Sequence, residues 1–252
     1  MKKKSIMLLL ITLCAAGILW AQNAQDIVDR ADHAFQGDRV YSTSSMTVYK
    51  SGEAQTVQEM ESYSMEKNGK TYSLSVYLAP RRMKGTANLM IEDDLWVRFS
   101  STGRIRKLSS SAKKNSAGGS DFSYADMGDG GQGLSEKYTP VLIGEETVEG
   151  EKCYKIELNA AVSDAPYDKM VVFITIDTYR YIKIDYYESG ANIKSMIFSD
   201  YRTVDGKDYP FFYVMNNHTK PSRTEVSVDI FETDSSRVQD RFFTTGYLES
   251  IR

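Results

Sequence analysis

Polar and apolar residues alternate along most of the chain that follows Arg39. Residues 72–78 place apolar side chains at every second position, opposite serines, and the same pattern recurs at 153–158 and 226–230. A period of two is typical of strands that bury one face and expose the other. Residues 171–174 are apolar at every position, which predicts a strand at the centre of a sheet.

Turn signals separate these segments. They are Asn68-Gly69, Glu149-Gly150, Ser189-Gly190 and Asp205-Gly206. Pairs of this type favour tight hairpins, so the pattern predicts an antiparallel meander of roughly ten or eleven strands. No linker or repeat interrupts it, and we expect one mainly β domain over residues 22–252.

A helical period occurs once, near the start. Its apolar members are Ile27, Val28, Ala31, Ala34 and Phe35. We predict an amphipathic helix over 23–37 that packs across the sheet, with Asn23 as its N-cap and Gly37 at its end.

Residues 1–21 have the pattern of a secretory signal peptide. Three lysines precede an apolar run, Ile6–Leu19, and Ala21 offers a cleavage position. A retained anchor is an alternative, although about 14 apolar residues is short for a bilayer that needs about 20. Lipid attachment at Cys14 is a third possibility, for which Leu13 is an unfavourable preceding residue. The pattern predicts an exported protein whose signal peptide is cleaved after Ala21.

Charge and cysteine content restrict the possible partners of the protein and the possible sources of its stability. Without the three leader lysines the chain carries 28 basic and 34 acidic residues. That balance argues against a nucleic-acid partner, which requires a basic surplus. Only Cys153 then remains, so stability must come from the core, without an intrachain disulfide.

The stretch from Pro80 to Met127 is the most distinctive part of the chain. Two apolar strands and a basic segment lead into a Ser/Lys/Gly-rich loop at 109–119. Residues 120–127 then predict a short aromatic helix, capped by Ser120 or Asp121. A second Gly-rich patch follows at 128–133. A short aromatic segment between two flexible loops predicts a lid over an apolar site.

No residue pattern predicts catalysis, a metal or a cofactor. The chain lacks a G-x-S-x-G elbow, and His33 and His218 have neither zinc spacing nor an evident base role. Residues 128–133 match G-x-G-x-x-G without the strand and helix that a dinucleotide site needs. We therefore expect a protein that is not an enzyme.

Clustered carboxylates do not change that expectation. Residues 92–94 are adjacent acids between apolar runs and predict a hairpin turn rather than a glycosidase pair. Asp121, Asp126 and Asp129 lack calcium-loop spacing and are interpreted as solvating the lid.

Basic residues concentrate between Pro80 and Lys114, where nine face three acids. They are either the solvated faces of strands or a docking surface for anionic lipid headgroups or an acidic partner. Arg104, Arg106 and Lys107 form the candidate basic rim.

Several of these features occur together in one order. They are the signal peptide, the helix at 26–32, the strand ending at Pro80, Lys84-Gly85-Thr86-Ala87, Trp96, Arg104–Leu108, the phrase Gly119–Tyr124, Tyr186-Tyr187 and Phe242-Phe243. The chain thereby resembles the outer-membrane lipoprotein-sorting family of the LolA/LolB-like superfamily, in the branch found with RND-type exporters. It departs from the family at Val97–Ser100, where an aromatic-Leu-Pro turn is usual, and no residue matches the buried arginine switch described for LolA.

The resemblance implies an open antiparallel half-barrel with helices covering its concave face. It implies a periplasmic carrier that binds the acyl chains of a lipid or lipoprotein non-covalently in an apolar cavity, with transient membrane contact and an RND-type transporter as a possible partner. The expected wall and lid residues are Leu89, Ile91, Trp96, Phe99, Phe122, Tyr124 and Met127. A non-catalytic accessory subunit of an export complex is the alternative. A lipid hydrolase, the third hypothesis, requires a nucleophile–base pair.

Overall fold

The computed structural model describes residues 24–34, 37–129 and 134–251. The predicted signal peptide at 1–21 lies outside these ranges, as does most of the second Gly-rich patch. Asn23 and Phe35, at the ends of the predicted first helix, also lie outside them.

The described residues form thirteen strands and five α-helices. The strands are β1 (Arg39–Lys50), β2 (Glu53–Lys67), β3 (Lys70–Ala79), β4 (Ala87–Ile91), β5 (Asp94–Arg98), β6 (Ile105–Lys107), β7 (Tyr138–Val148), β8 (Glu151–Ala160), β9 (Lys169–Thr175), β10 (Tyr181–Glu188), β11 (Ala191–Val204), β12 (Lys207–Asn217) and β13 (Ser222–Glu232). The helices are α1 (24–34), α2 (Ser110–Lys113), α3 (Tyr124–Asp129), α4 (Leu134–Lys137) and α5 (Thr245–Ser250), with a 3-10 turn at Asp240–Phe242.

The mainly β prediction is confirmed, but the predicted number of strands was too low. The stretch after Pro80 contains three short strands, of five, five and three residues. A strand such as β6 is too short to show a period of two, so alternation could not reveal it. No helix among the described residues is long and apolar enough to cross a bilayer.

The predicted hairpin turns are confirmed. Each of the four predicted dipeptides joins two consecutive strands, and both of its residues have positive φ, as at Asn68 (55°) and Gly69 (68°). Two positive φ values in succession match the right-handed twist of the flanking strands. Residues 92 and 93 likewise turn the chain from β4 to β5.

The chain divides into two compact units. The smaller unit contains α1, α4 and four strands in the order β10-β9-β8-β7. Strand β9 is central and apolar on both faces, as predicted. In α1, the carboxylate of Asp32 accepts hydrogen bonds from the Tyr181 hydroxyl (2.7 Å) and the Leu134 amide (3.1 Å). These bonds fix the helix within its unit.

The larger unit contains nine strands, ordered β6-β5-β4-β3-β2-β1-β13-β12-β11. All eight neighbouring strand pairs of this sheet are antiparallel. One face of this sheet, which we call the tail face, packs against residues 235–251, the tail segment. Their shared cluster is Tyr41, Met65, Leu74, Val76, Ala87, Leu89, Val238, Phe242, Phe243 and Leu248.

Candidate functional site

The opposite face of the larger unit's sheet is crossed by residues 109–129, which we call the crossing segment. Gln58 Nε2 in β2 donates to the carbonyl oxygen of Gly118 at 2.9 Å. The amide of Asp121 donates to Thr224 Oγ1 in β13 at 2.9 Å. Because strand residues alternate between faces, these contacts identify the crossing face. The predicted lid is thus a segment held against the sheet.

Local polar contacts fold the crossing segment. The Ser109 hydroxyl caps α2 by accepting from the amide of Ala112. Farther along, Ser123 Oγ accepts from the Asp126 amide (3.2 Å) while Asp126 Oδ2 accepts from the Ser123 amide (2.6 Å). This reciprocal pair is a capping box. Ser123, rather than Ser120 or Asp121, therefore starts α3.

Ser120 and Asp121 are not caps because other groups use their side chains. The Ser120 hydroxyl donates to the carbonyl oxygen of Ala117 at 2.7 Å. Asp121 accepts from Ser222 Oγ (2.5 Å), Thr224 Oγ1 (2.8 Å) and Asn217 Nδ2 (3.1 Å). A carboxylate with three donors is strongly anchored. The interpretation of Asp121 as a solvating residue was therefore wrong.

Asp126 provides a second anchor. Its Oδ2 accepts from Nζ of Lys194 in β11, and the two side chains are only 4% and 7% exposed. Lys194 Nζ also reaches the carbonyl oxygen of Asp121 at 3.4 Å. A buried ion pair tolerates the loss of neither partner. Asp126 therefore also anchors the segment rather than solvating it.

Aromatic side chains of the crossing segment lie on apolar parts of the sheet. Phe122 packs edge-on against Tyr213, with ring centroids 6.1 Å apart. Tyr124 packs with Phe99 and Leu108 against a buried cluster of Met90, Leu95 and Val97. Burial raises the pKa of Tyr124 and raises the pKa of Tyr213 to about 12. Both phenols are consequently neutral at physiological pH.

Gly118 marks the closest approach of the segment to the sheet. Its φ is +61°, and a Cβ there would lie 2.8 Å from Met83 Cε, 2.9 Å from Gln58 Oε1 and 3.0 Å from the Tyr77 hydroxyl. A side chain at this position would therefore force the segment away. Gln58 Oε1 is buried and makes no hydrogen bond, and the buried Tyr77 hydroxyl interacts with the Asn88 side chain without ordinary hydrogen-bond geometry.

The predicted wall and lid residues separate into two groups. Leu89, Ile91 and Trp96 belong to the tail face, where the tail segment packs against them. Phe99, Phe122 and Tyr124 lie together with the crossing face. Met127 is half-buried in α3. The sequence could not make this division because β4 and β5 are apolar on both faces.

The three residues of the predicted basic rim differ in their surroundings. Lys107 forms an ion pair with Asp94 (2.6 Å) and stacks over the Trp96 ring. Arg104 and Arg106 are exposed beside and within β6, and neither forms an ion pair with a described residue. Only the two arginines are therefore fully available to an external anion.

A group of serines on the crossing face was not predicted as part of the site. It consists of Ser42, Ser44, Ser62, Ser64, Ser73 and Ser75, and we call it the serine field. The pattern Ser-x-Ser occurs in three consecutive strands, β1, β2 and β3, so the signal was visible. It was interpreted as the solvent side of a sheet, whereas these serines share a face with Tyr77 and Gln58, which the crossing segment covers.

Ser195 and His218 form one pair of catalytic type. Ser195 Oγ lies 3.0 Å from His218 Nε2, which the sequence did not predict. Ser195 is only 4% exposed, and no described carboxylate orients the imidazole. A nucleophile must reach its substrate and its base must be oriented, so this pair does not support a hydrolase. The described residues also contain no group of three or more metal-binding side chains.

Comparison with known proteins supports the family expectation. The family model that matches residues 69–250 carries the description "-like: Uncharacterized protein". No curated protein matches this sequence significantly.

Three solved structures share the fold over most of their length. A domain from Vibrio parahaemolyticus named for outer membrane lipoprotein sorting is 23% identical, with a TM-score of 0.83, covering 91% of this chain and 99% of its own. A DUF1329 family protein from Desulfovibrio piger is 26% identical, with a TM-score of 0.84 and the same coverage. A LolA superfamily protein from Nitrosomonas europaea is 20% identical, with a TM-score of 0.74, covering 89% and 98%. The chain therefore belongs to the family whose model matches residues 69–250, and it shares its fold with proteins named for outer-membrane lipoprotein sorting and for the LolA superfamily.

Proposed function

We propose that this protein is a periplasmic, non-catalytic carrier that binds acyl chains of a lipid or lipoprotein between the crossing segment and the sheet of the larger unit. The observation that supports it most is the mixed attachment of that segment. Its polar groups are fixed at Asp121 and Asp126, whereas Phe122 and Tyr124 cover apolar sheet residues. Lipid tails replace such aromatic contacts at little cost because both are apolar.

The apolar residues of the crossing face suit an irregular ligand. They include Met46, Met60, Met90, Met196 and Met215, all buried. Methionine is flexible and polarizable, so it repacks around tails of different shape. Each acyl CH₂ that leaves water contributes about 0.8 kcal/mol. Even one tail therefore provides enough free energy to lift two aromatic rings from the sheet.

The test is to extract the protein from its native envelope and identify bound lipid by mass spectrometry. A fluorescent fatty acid then measures binding by the lipid-stripped protein. We expect co-purified lipid and a probe that binds with micromolar or better affinity. The double variant Phe122→Ala and Tyr124→Ala should change the affinity of the probe, whereas the exposed control Val57→Ala should not. The proposal is contradicted if the extracted protein contains no lipid and the lipid-stripped protein does not bind the probe.

A second role, docking on a membrane or an export complex, is favoured by Arg104 and Arg106. These two exposed arginines carry positive charge at the edge of the larger unit's sheet. Charge reversal of both should abolish low-salt flotation with vesicles of 30% anionic lipid, because each basic residue near an anionic membrane surface contributes about 1 kcal/mol. Lys220→Glu, at an exposed turn, is the control. Unchanged flotation would leave an anionic patch on a transporter of the RND type as the partner to test by pull-down.

A further inference from the structure

The serine field forms an ordered block across three strands. Ser42 pairs with Ser62, Ser62 with Ser75, and Ser75 with Asn88 of β4, so four polar side chains share one row. The adjacent row pairs Ser64 with Ser73. The Ser62 and Ser75 hydroxyls are 2.9 Å apart and bond to each other. Since paired residues project to the same side, the field is continuous.

Asn88 is the member of this row whose side chain lacks hydrogen bonds of ordinary geometry. The residue is 6% exposed, and neither Nδ2 nor Oδ1 makes a hydrogen bond of ordinary geometry. Gln58 Oε1 next to the field is also buried without a partner, and the Tyr77 hydroxyl, which interacts with Asn88, likewise makes no bond of ordinary geometry. Buried polar groups are nearly always paired, so a cluster of exceptions indicates a missing ligand.

The field carries no charge. Its immediate neighbours in the same rows are Val40, Met60, Tyr77, Asn88 and Met90. Burying an ionised group without a counter-charge is strongly unfavourable, so phosphate and carboxylate are poor ligands here. Hydroxyl and amide N–H donors instead match neutral carbonyl oxygens.

Apolar residues border the polar block on both sides. Met60 lies beside Ser44, and Met90 lies beside Ser73, so a ligand on the field meets apolar surface at either end. In an acylated glycerol the ester linkages likewise stand between apolar tails. This arrangement of donors between methionines matches the linkage region of a lipid rather than its headgroup.

We propose that the serine field and Asn88 bind the ester carbonyls of a diacylglyceryl group, the linkage common to glycerolipids and acylated lipoproteins. This inference rests on the proposed carrier function and names the part of the cargo that is recognised. Asn88 Nδ2 donates to one carbonyl oxygen, and whichever of the Ser62 and Ser75 hydroxyls does not donate to the other donates to the second. Met60 and Met90 contact the first carbons of the tails. Binding gives Asn88 Nδ2 the acceptor that it lacks in the free protein.

The test compares two ligands that differ only at the linkage. Dioctanoylglycerol has two ester carbonyls, and the dioctyl ether of glycerol has none. Each displaces a fluorescent fatty acid from the purified protein. We expect at least a fivefold preference for the ester, since one net hydrogen bond changes affinity by about that factor.

The triple variant Ser62→Ala, Ser75→Ala and Asn88→Leu should bind the ether as wild type does and lose the ester preference. Ser227→Ala, an exposed serine on the other face of β13, should keep it. Asn88→Leu alone should also raise the Tm of the free protein because it removes two unpaired buried atoms. The Tm confirms that the variants fold.

The outcomes for wild type and the triple variant distinguish the ester inference from the carrier function. Equal affinity of wild type for ester and ether, or a triple variant that retains the preference, overturns the inference while the carrier function stands. Failure of wild type to bind the probe, the ester and the ether overturns the carrier function and this inference with it.

Discussion

Lys194 donates a hydrogen bond to Asp126, and this ion pair, with side chains 7% and 4% exposed, joins β11 to the crossing segment. The two residues are 68 positions apart in sequence. Charges this deeply buried stabilise the fold only when both are present. The pair therefore acts as a latch between sheet and segment.

Removal of one charge from this pair should lower the free energy of unfolding far more than removal of both. Lys194→Met leaves the Asp126 carboxylate buried without its cation, and we expect a loss of about 3–5 kcal/mol in the free energy of unfolding. Asp126→Asn added to Lys194→Met should recover much of that loss. A double-mutant cycle in urea measures the coupling. The control is the exposed pair of Arg202 and Asp200, where Arg202→Met should cost about 1 kcal/mol or less. Equal costs at the two sites would contradict the latch.

Two adjacent glycines provide a test of how closely the crossing segment approaches the sheet. Gly118 (φ +61°) and Gly119 (φ +77°) are both in the left-handed region, but only Gly118 has neighbours where a Cβ would stand. Gly119→Ala should cost about 1 kcal/mol, from backbone conformation alone. Gly118→Ala should cost about 1–3 kcal/mol more, because crowding against the sheet adds to it. Thermal unfolding of both variants measures the difference, and indistinguishable Tm values would contradict it.

The Asp121 anchor should control local opening of the crossing segment. Thr224 Oγ1 is fully buried and both donates to and accepts from Asp121. Thr224→Val keeps the shape and removes both bonds, at an expected cost of about 1–3 kcal/mol. Amide hydrogen exchange over residues 117–124 should then accelerate about tenfold or more. Thr203→Val, which removes an exposed bond to Asp208, is the control and should leave that exchange unchanged.

The sequence predicted more of the scaffold than of the site. Alternation and Asn-Gly or Asp-Gly pairs predicted the strands and hairpins because those signals are local. The anchors were missed because Asp121 and Asp126 find their partners in β11, β12 and β13, far along the chain. The sequence also placed Trp96 and Phe99 on one wall, although they lie on opposite faces of the sheet. Separating the two faces requires the register of two short apolar strands, which the sequence does not reveal. The phrase Gly119–Tyr124, which carries the family resemblance, contains Asp121, one of the two acidic residues that attach the crossing segment to the sheet.

Acid should weaken the attachment of the tail segment. Hydrogen bonds from Lys67 (2.5 Å) and Arg39 (2.7 Å) lower the pKa of Asp240 to about 2. A depressed folded-state pKa stabilises the protein above the ordinary value of about 3.9, and this contribution disappears as the pH falls towards 2. Asp240→Asn should therefore lower Tm at pH 6 and have little effect near pH 2.

The effect at Asp240 should also shrink in salt because the carboxylate is half exposed. Scans of Tm from pH 6 to pH 2.5, at low and high ionic strength, provide the comparison. A difference between wild type and Asp240→Asn that does not vary with pH would exclude this ion pair as its cause.

Photo-crosslinking shows most directly whether lipid tails bind at the crossing face. A diazirine-bearing fatty acid is bound to the purified protein, activated and mapped by peptide mass spectrometry. If the protein is a carrier, labels should concentrate in residues 115–127 and in β1, β2 and β3, and excess unlabelled lipid should suppress them. Labels confined to the tail segment, or spread without competition, would contradict it.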